Sequence, residues 1–140
     1  MFSRLTAVLA AACMLDVGGA AADERKPDKV IEITVKDGKV TFVEQGARKA
    51  EPVTVVVGQT VRWENRDTKP HTVVSSMTAD GKPVIDTDVI KPGGYKDLLL
   101  TIDVYQRAKG KPADVVTISF HLKDNPDDKG ELLLLSAARR

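Results

Sequence analysis

Apolar and polar residues alternate with a period of two along short stretches of this chain, and turn-forming residues separate the stretches. Val30-Ile-Glu-Ile-Thr-Val35 alternates, meets Asp37-Gly38 and resumes as Lys39 to Val43, which predicts a hairpin. Pro52-Val-Thr-Val-Val-Val57 is rich in β-branched residues, and Gly58-Gln59 turns it into Thr60-Val-Arg-Trp-Glu64. Val73-Val74, Tyr95 to Ile102, Val115 to Leu122 and Glu131 to Leu135 complete the predicted strands. Glu44 to Glu51, Ser75 to Gly94, Gln106 to Asp114 and Lys123 to Gly130 read as loops. Tyr105 to Lys109 has the makings of one helical turn, which Gly110 and Pro112 stop. About seven or eight short strands without internal repeats predict an all-β sandwich. In the stretch before Leu122, Val116, Ile118, Phe120 and Leu122 share one face, and Thr117, Ser119 and His121 share the other. The apolar face points inward, so Leu122 is expected inside and His121 outside unless a bulge intervenes.

The first 22 residues read as an export signal rather than as part of the fold. Arg4 gives a positive start, Leu5 to Leu15 is a short apolar run, and Ala20-Ala21-Ala22 offers a small-residue cleavage site. That run is well short of the roughly 20 residues a membrane-spanning helix needs. The expected location is periplasmic or secreted. The only cysteine, Cys13, lies inside this segment. Cleavage before it would make a lipoprotein, but Leu9-Ala10-Ala11-Ala12 matches that signal poorly, and ordinary secretion is the better reading. Residues 23–29, with Pro27, read as a flexible lead-in, and 30–140 as one domain by size.

Removing the signal leaves no thiol, hence no disulfide and no thiolate ligand. A net charge of +1 argues against a nucleic-acid partner, which needs a basic stripe. There is no Ser/His/Asp spacing, no His-Glu-x-x-His and no phosphate-cradling glycine loop, so an enzyme is not expected. Arg107, Lys109 and Lys111 cluster in one predicted loop, which reads as a docking patch or as a solvated loop.

Three blocks carry a family resemblance over about Ile31 to Leu135. They are Val53-Thr-Val-Val-Val-Gly-Gln-Thr-Val-Arg-Trp-Glu-Asn65, Asp67-Thr-Lys-Pro-His71, and Asp86-Thr-Asp-Val-Ile-Lys-Pro-Gly93. In this order and spacing the chain resembles the cupredoxins, the plastocyanin and amicyanin family of small copper proteins. The resemblance implies a Greek-key β-sandwich and a copper site with His71 as its first ligand.

Family members with blue copper end in Tyr-x-Cys-x-x-His-Pro-x-Met-x-Gly. Here Phe120-His-Leu-Lys-Asp-Asn-Pro-Asp-Asp-Lys-Gly130 occupies that place, aligned without gaps on Pro126 and Gly130. The resemblance thus puts Leu122 at the cysteine position, Asn125 at the second histidine and Asp128 at the methionine. A blue-copper centre needs a thiolate in a trigonal His₂Cys set with a weak axial sulfur, so electron transfer of that kind is not expected.

What remains is one imidazole with oxygen donors, a harder set suited to Cu(II) or another divalent ion. His71, Asn125 and Asp128 are the candidate ligands, with His121 if a bulge turns it inward and Met77 as a soft donor nearby. Each also has a plainer reading as a loop, turn or packing residue, and Trp63 reads as a core anchor. Two functions stay open: a divalent-metal, copper-first binding protein, or a metal-free scaffold that binds a protein or serves structurally.

Overall fold

The computed structural model describes residues 26–76, 78–108 and 115–136. Two β-sheets pack face to face. The first holds β1 (Lys29–Lys36), β2 (Lys39–Glu44), β4 (Thr60–Asn65) and β9 (Tyr95–Leu99), in the order β2-β1-β4-β9. The second holds β3 (Val53–Val56), β5 (His71–Ser75), β8 (Asp86–Ile90), β10 (Val115–Leu122) and β11 (Asn125–Leu135), in the order β3-β11-β10-β5-β8. A two-stranded ribbon of β6 (Thr78–Ala79) and β7 (Lys82–Pro83) projects between β5 and β8 along the chain. The β1–β4 and β3–β11 pairs are parallel, because the chain changes sheet between them; the other pairs are antiparallel.

The predicted hairpin forms with Val35 paired to Val40 and Lys36 to Lys39. Asp37 (φ 52°) and Gly38 (φ 77°) both adopt left-handed backbone, the mirror-image turn that matches the twist of two antiparallel strands. Strand β10 keeps strict alternation: Val116, Ile118, Phe120 and Leu122 are buried, and Leu122 is fully so. Trp63 and Phe42 meet the Phe120 ring edge-on, with centroids 5.6 and 4.8 Å away. Gly130 lies directly against that ring. A Cβ there would stand 2.5 Å from Phe120 Cζ, so the aromatic cluster exists only because this position has no side chain.

The architecture is the expected sandwich, with four local differences. First, Asp86–Ile90, read as loop, is an edge strand. Its burial does not alternate, Asp88 has φ 61°, and its register with β5 shifts between Thr72 and Val74, so the period-two signal is erased. Second, the turn Lys123 to Gly130 shrinks to Lys123-Asp124, and β11 starts at Asn125. The irregularity falls on β11: His121 pairs with Lys129 and Leu122 with Asn125, which leaves Pro126, Asp127 and Asp128 as the extra residues. Third, β9 stops at Leu99, and the helix α1 (Ile102–Arg107) begins before Tyr105. Thr101 caps it by accepting a hydrogen bond from Val104 N at 3.2 Å, and Tyr105 buries its ring. Fourth, the lead-in is pinned at its end. Asp28 N donates to Thr60 O, the Asp28 carboxylate accepts from Thr60 N, and β1 begins at Lys29. The predicted export signal, Cys13, Met77, Lys109 and Lys111 lie outside the described residues.

Candidate functional site

His71 opens β5 at one end of the sandwich, and the loop before it is built around Asn65. That asparagine is fully buried at the end of β4. Its amide nitrogen donates to Lys69 O at 2.7 Å and Ile90 O at 3.0 Å, and its carbonyl oxygen accepts from Asp67 N at 2.9 Å. Its backbone closes onto Gly93 and Gly94 on the neighbouring turn. One residue therefore ties the 65–71 loop and the end of β8 through its side chain and the Gly93-Gly94 turn through its backbone, and Pro70 stiffens the approach to His71. The blocks that carried the resemblance are the parts of this knot.

His71 is buried, and its Nε2 lies 2.6 Å from Asp67 Oδ2. The hydrogen donated by His71, and then the Thr68 backbone N–H, hold the Asp67 carboxyl below its ordinary range. With Nε2 as donor, the neutral ring carries its lone pair on Nδ1. That atom is buried and has no hydrogen-bond partner among the described residues. The nearest carboxylate oxygen, Asp124 Oδ1, is 4.0 Å away, too far for a hydrogen bond, on a side chain that is 73% exposed. Asp67 was absent from the candidate residues, although a carboxylate four positions before a histidine across a Pro-stiffened loop is a readable signal. Asp124 carried no such signal; only the two-residue turn brings it near.

His71 lines an open cleft of about 390 Å³ with Val35, Gly38, Val40, Asp67, Lys69, Leu122, Asp124 and Asn125. So the structure brings His71, Asn125 and the Leu122 slot together at one end of the barrel-like core. Asp128 is engaged elsewhere: its Oδ2 accepts Val40 N at 2.9 Å from the opposite sheet, with Asn125 Nδ2 at 3.4 Å. His121 pairs with Val74 and Lys129 on the outer face, and its Nδ1 bonds Leu122 O at 2.8 Å. The bulge on β11 leaves the facing of β10 unchanged, so it does not turn His121 inward.

These residues do not fit a blue-copper centre. Leu122 fills the position expected for the thiolate, and among the described residues no three His, Cys, Asp or Glu side chains converge. They do fit a simpler demand. A histidine whose far nitrogen donates to a carboxylate, leaving the near nitrogen bare, is the arrangement that orients an imidazole toward a metal ion. His71 Nδ1 would hold such an ion, with the exposed Asp124 carboxylate, 4.0 Å away, as the neighbouring oxygen donor.

No protein-family profile and no curated protein matches the chain. Among the described residues no helix is long and apolar enough to cross a membrane. Solved structures of amicyanin do match. They include a mutant in the Cu(I) form (20% identical, TM-score 0.52), an oxidised mutant (21%, 0.54) and a reduced mutant (19%, 0.52). Each alignment covers 81% of this chain and 88% of amicyanin. At this identity the likeness concerns the backbone, and the chain has the cupredoxin-like β-sandwich fold.

Proposed function

We propose that this is an exported binding protein, not an enzyme, that takes up a single divalent metal ion at His71, with copper the first candidate. The observation that supports this reading is the buried, unpartnered Nδ1 of His71, on a ring whose other nitrogen is held by the Asp67 carboxylate. Asp124 supplies an oxygen donor and Asn125 a polar wall. Copper enters through the fold, since the solved relatives include Cu(I)-form amicyanin. The chain's own donors, one nitrogen with oxygens, favour Cu(II) or Zn²⁺ over the softer Cu(I). Two protein donors make a weaker, more exchangeable site than a closed four-ligand one. Export rests on Arg4, the Leu5 to Leu15 run and the alanines at 20–22.

Calorimetric titration of the mature protein with Cu(II) and with Zn²⁺ tests the reading. One equivalent binds to wild type, His71→Ala abolishes it, and no intense blue absorption develops. Absence of binding below about millimolar, or binding indifferent to His71→Ala, ends the metal reading. The second reading, a metal-free scaffold for a protein partner or a structural role, then takes its place. The filled Leu122 slot and the Asp128–Val40 bond are the observations that favour that alternative.

A further inference from the structure

Each sheet of the sandwich has two edge strands, and β-proteins blunt such edges against pairing with other chains. Three of the four are blunted here. On β2, the Asp128 carboxylate from the facing sheet takes the Val40 N–H. On β3, Gln59 folds back onto Val56: its side chain accepts from Val56 N at 2.9 Å, and its own N–H reaches Val56 O at 3.0 Å. Strand β8 is interrupted by its register shift and by the left-handed Asp88. Strand β9 has no such device in its backbone. All five of its residues pair with β4 in unbroken register, and among the described residues no strand lies on its other side. Its ladder is fixed at both ends, since Asn65 N donates to Gly94 O and Leu100 N to Gln59 O. Bonded and non-bonded pairs alternate between those points, so the odd-numbered residues of β9 turn their backbone groups away from β4. Their side chains share the outer face, where Tyr95 is 47% and Leu99 56% exposed. Between them Arg62 grips Asp97 through bonds of 2.7 and 3.1 Å, and the same guanidinium lies 3.8 Å over the Tyr95 ring.

We infer that β9 is a self-pairing edge, through which two copies of this chain join antiparallel with Asp97 on the two-fold axis. The order of residues along the strand selects this partner. Tyr95 and Leu99 stand two positions either side of Asp97, so the two-fold sets each Tyr95 against the other copy's Leu99. Both exposed apolar side chains of the strand are covered at once. The same register brings the outward-turned backbone groups of the odd-numbered residues together and continues the ladder. On the inner face the aliphatic stem of Lys96 lies along the other copy's Leu98. The two Asp97 carboxylates meet at the axis, but each already carries its own Arg62, which offsets the like-charge cost. Arg62 also holds Tyr95 and Asp97 in place before the copies meet, so little side-chain freedom is lost there. Tyr95 lies next to the Gly93-Gly94 turn that is bonded to Asn65, at the His71 end. Antiparallel pairing therefore puts the two His71 ends at opposite extremes of the dimer and leaves both clefts open. The inference stands independently of the metal reading.

Five residues a side make a contact below the roughly 1,200 Å² of a standard interface, so the dimer is weak and concentration-dependent. Sedimentation equilibrium of the mature protein, up to about 1 mM, is expected to give a dissociation constant on the order of 10–100 μM. Leu99→Glu and Tyr95→Lys each raise it at least tenfold. Both positions are exposed, and urea midpoints near that of wild type separate this loss from unfolding. Mixed in equal amounts, the two variants associate again as a heterodimer, which native mass spectrometry identifies by its mass. The introduced ammonium then faces the introduced carboxylate, while the second Tyr95–Leu99 contact remains native. Three outcomes overturn the inference: a monomer at every concentration, which leaves β9 to a strand of another protein; a dimer that both variants leave intact; or a mixture that associates no more tightly than either variant alone. Cu(II) titration of the same samples follows His71 in every case, so the metal reading stands or falls separately.

Discussion

Replacing Asn65 by alanine removes the side chain that organises the approach to His71, and the cost follows from its three partners. The amide nitrogen serves two backbone carbonyls, Lys69 O and Ile90 O, and the amide oxygen serves one backbone N–H, that of Asp67. Asn65 is fully buried, so water does not take over all three groups. Each hydrogen bond contributes about 1 kcal/mol net, and a group left unpaired in the interior costs about 1–3 kcal/mol. Lys69 lies at the exposed end of the loop and recovers a water partner, while Ile90 O does not. Together these give a loss of about 3–4 kcal/mol, out of a total of roughly 5–15 for a domain of this size. The single tryptophan, Trp63, is fully buried two residues away in the same strand, so its fluorescence follows urea unfolding. The midpoint falls strongly, with the slope against denaturant unchanged. The proposed metal site is affected more than stability alone explains, because Asp67 loses the anchor that holds it under His71. Cu(II) affinity at a temperature where the variant is still folded drops at least tenfold. A loss under about 1 kcal/mol, with metal affinity intact, means that Asn65 does not position this loop.

Four further outcomes follow from the same geometry. Gly130→Ala puts a carbon 2.5 Å from the Phe120 ring and 3.2 Å from Phe42 Cβ, and overpacking of this kind costs about 1–3 kcal/mol, read from the same denaturation curves. Asp128→Ala removes the acceptor of Val40 N–H and lowers stability by about 1 kcal/mol, while Cu(II) affinity, measured calorimetrically, stays within twofold. For pH, Asp67 has its carboxyl lowered from 3.8 chiefly by the bond from His71, so this pair stabilises the fold above that value and is lost as acid protonates the carboxylate. The gap in urea midpoint between wild type and Asp67→Asn therefore narrows as pH falls through 4 and below; a gap that widens there reverses the assignment. The combined Leu122→Cys, Asn125→His, Asp128→Met variant rebuilds the family's ligand spacing beside His71 and turns blue with Cu(II), and a colourless product shows that Leu122 does not stand at the thiolate position.

Strong alternation made most of the sandwich legible in advance. The β1–β2 hairpin, the inward face of β10 and the core role of Trp63 all follow from residues whose neighbours on the strand take the opposite face. The misses share one physical cause: each lies where a side chain bonds to backbone, so that hydrophobicity carries no signal. Asp86 accepts from Asp88 N and Thr87 Oγ1 reaches Asp88 O, which disguises β8 as a polar loop. Thr101 caps a helix that the apolar Leu98-Leu99-Leu100 run makes resemble the end of a strand. At the site, the resemblance assigned His71 and Leu122 to one ligand set, but the sequence did not show that Asp67 holds His71 or that Asp124 approaches it. Those contacts depend on the Asn65 knot and on a two-residue turn, both settled by tertiary pairing.

The three positions that the resemblance assigns to metal ligands beside His71 have other partners in this chain. Here Leu122 fills its position without remaining exposure. Asp128 turns to the facing sheet and satisfies Val40 N–H on the outer strand β2. Asn125 braces that carboxylate at 3.4 Å. Each of the three has its own partner, so burial and hydrogen bonding hold this end together. Among the described residues His71 Nδ1 and Trp63 Nε1 are the buried side-chain polar atoms without a hydrogen-bond partner. A buried polar atom left unpaired costs about 1–3 kcal/mol. At His71 a carboxylate also holds the other ring nitrogen, and this pairing of a fixed imidazole with a bare nitrogen, absent at Trp63, is what the proposed metal reading rests on.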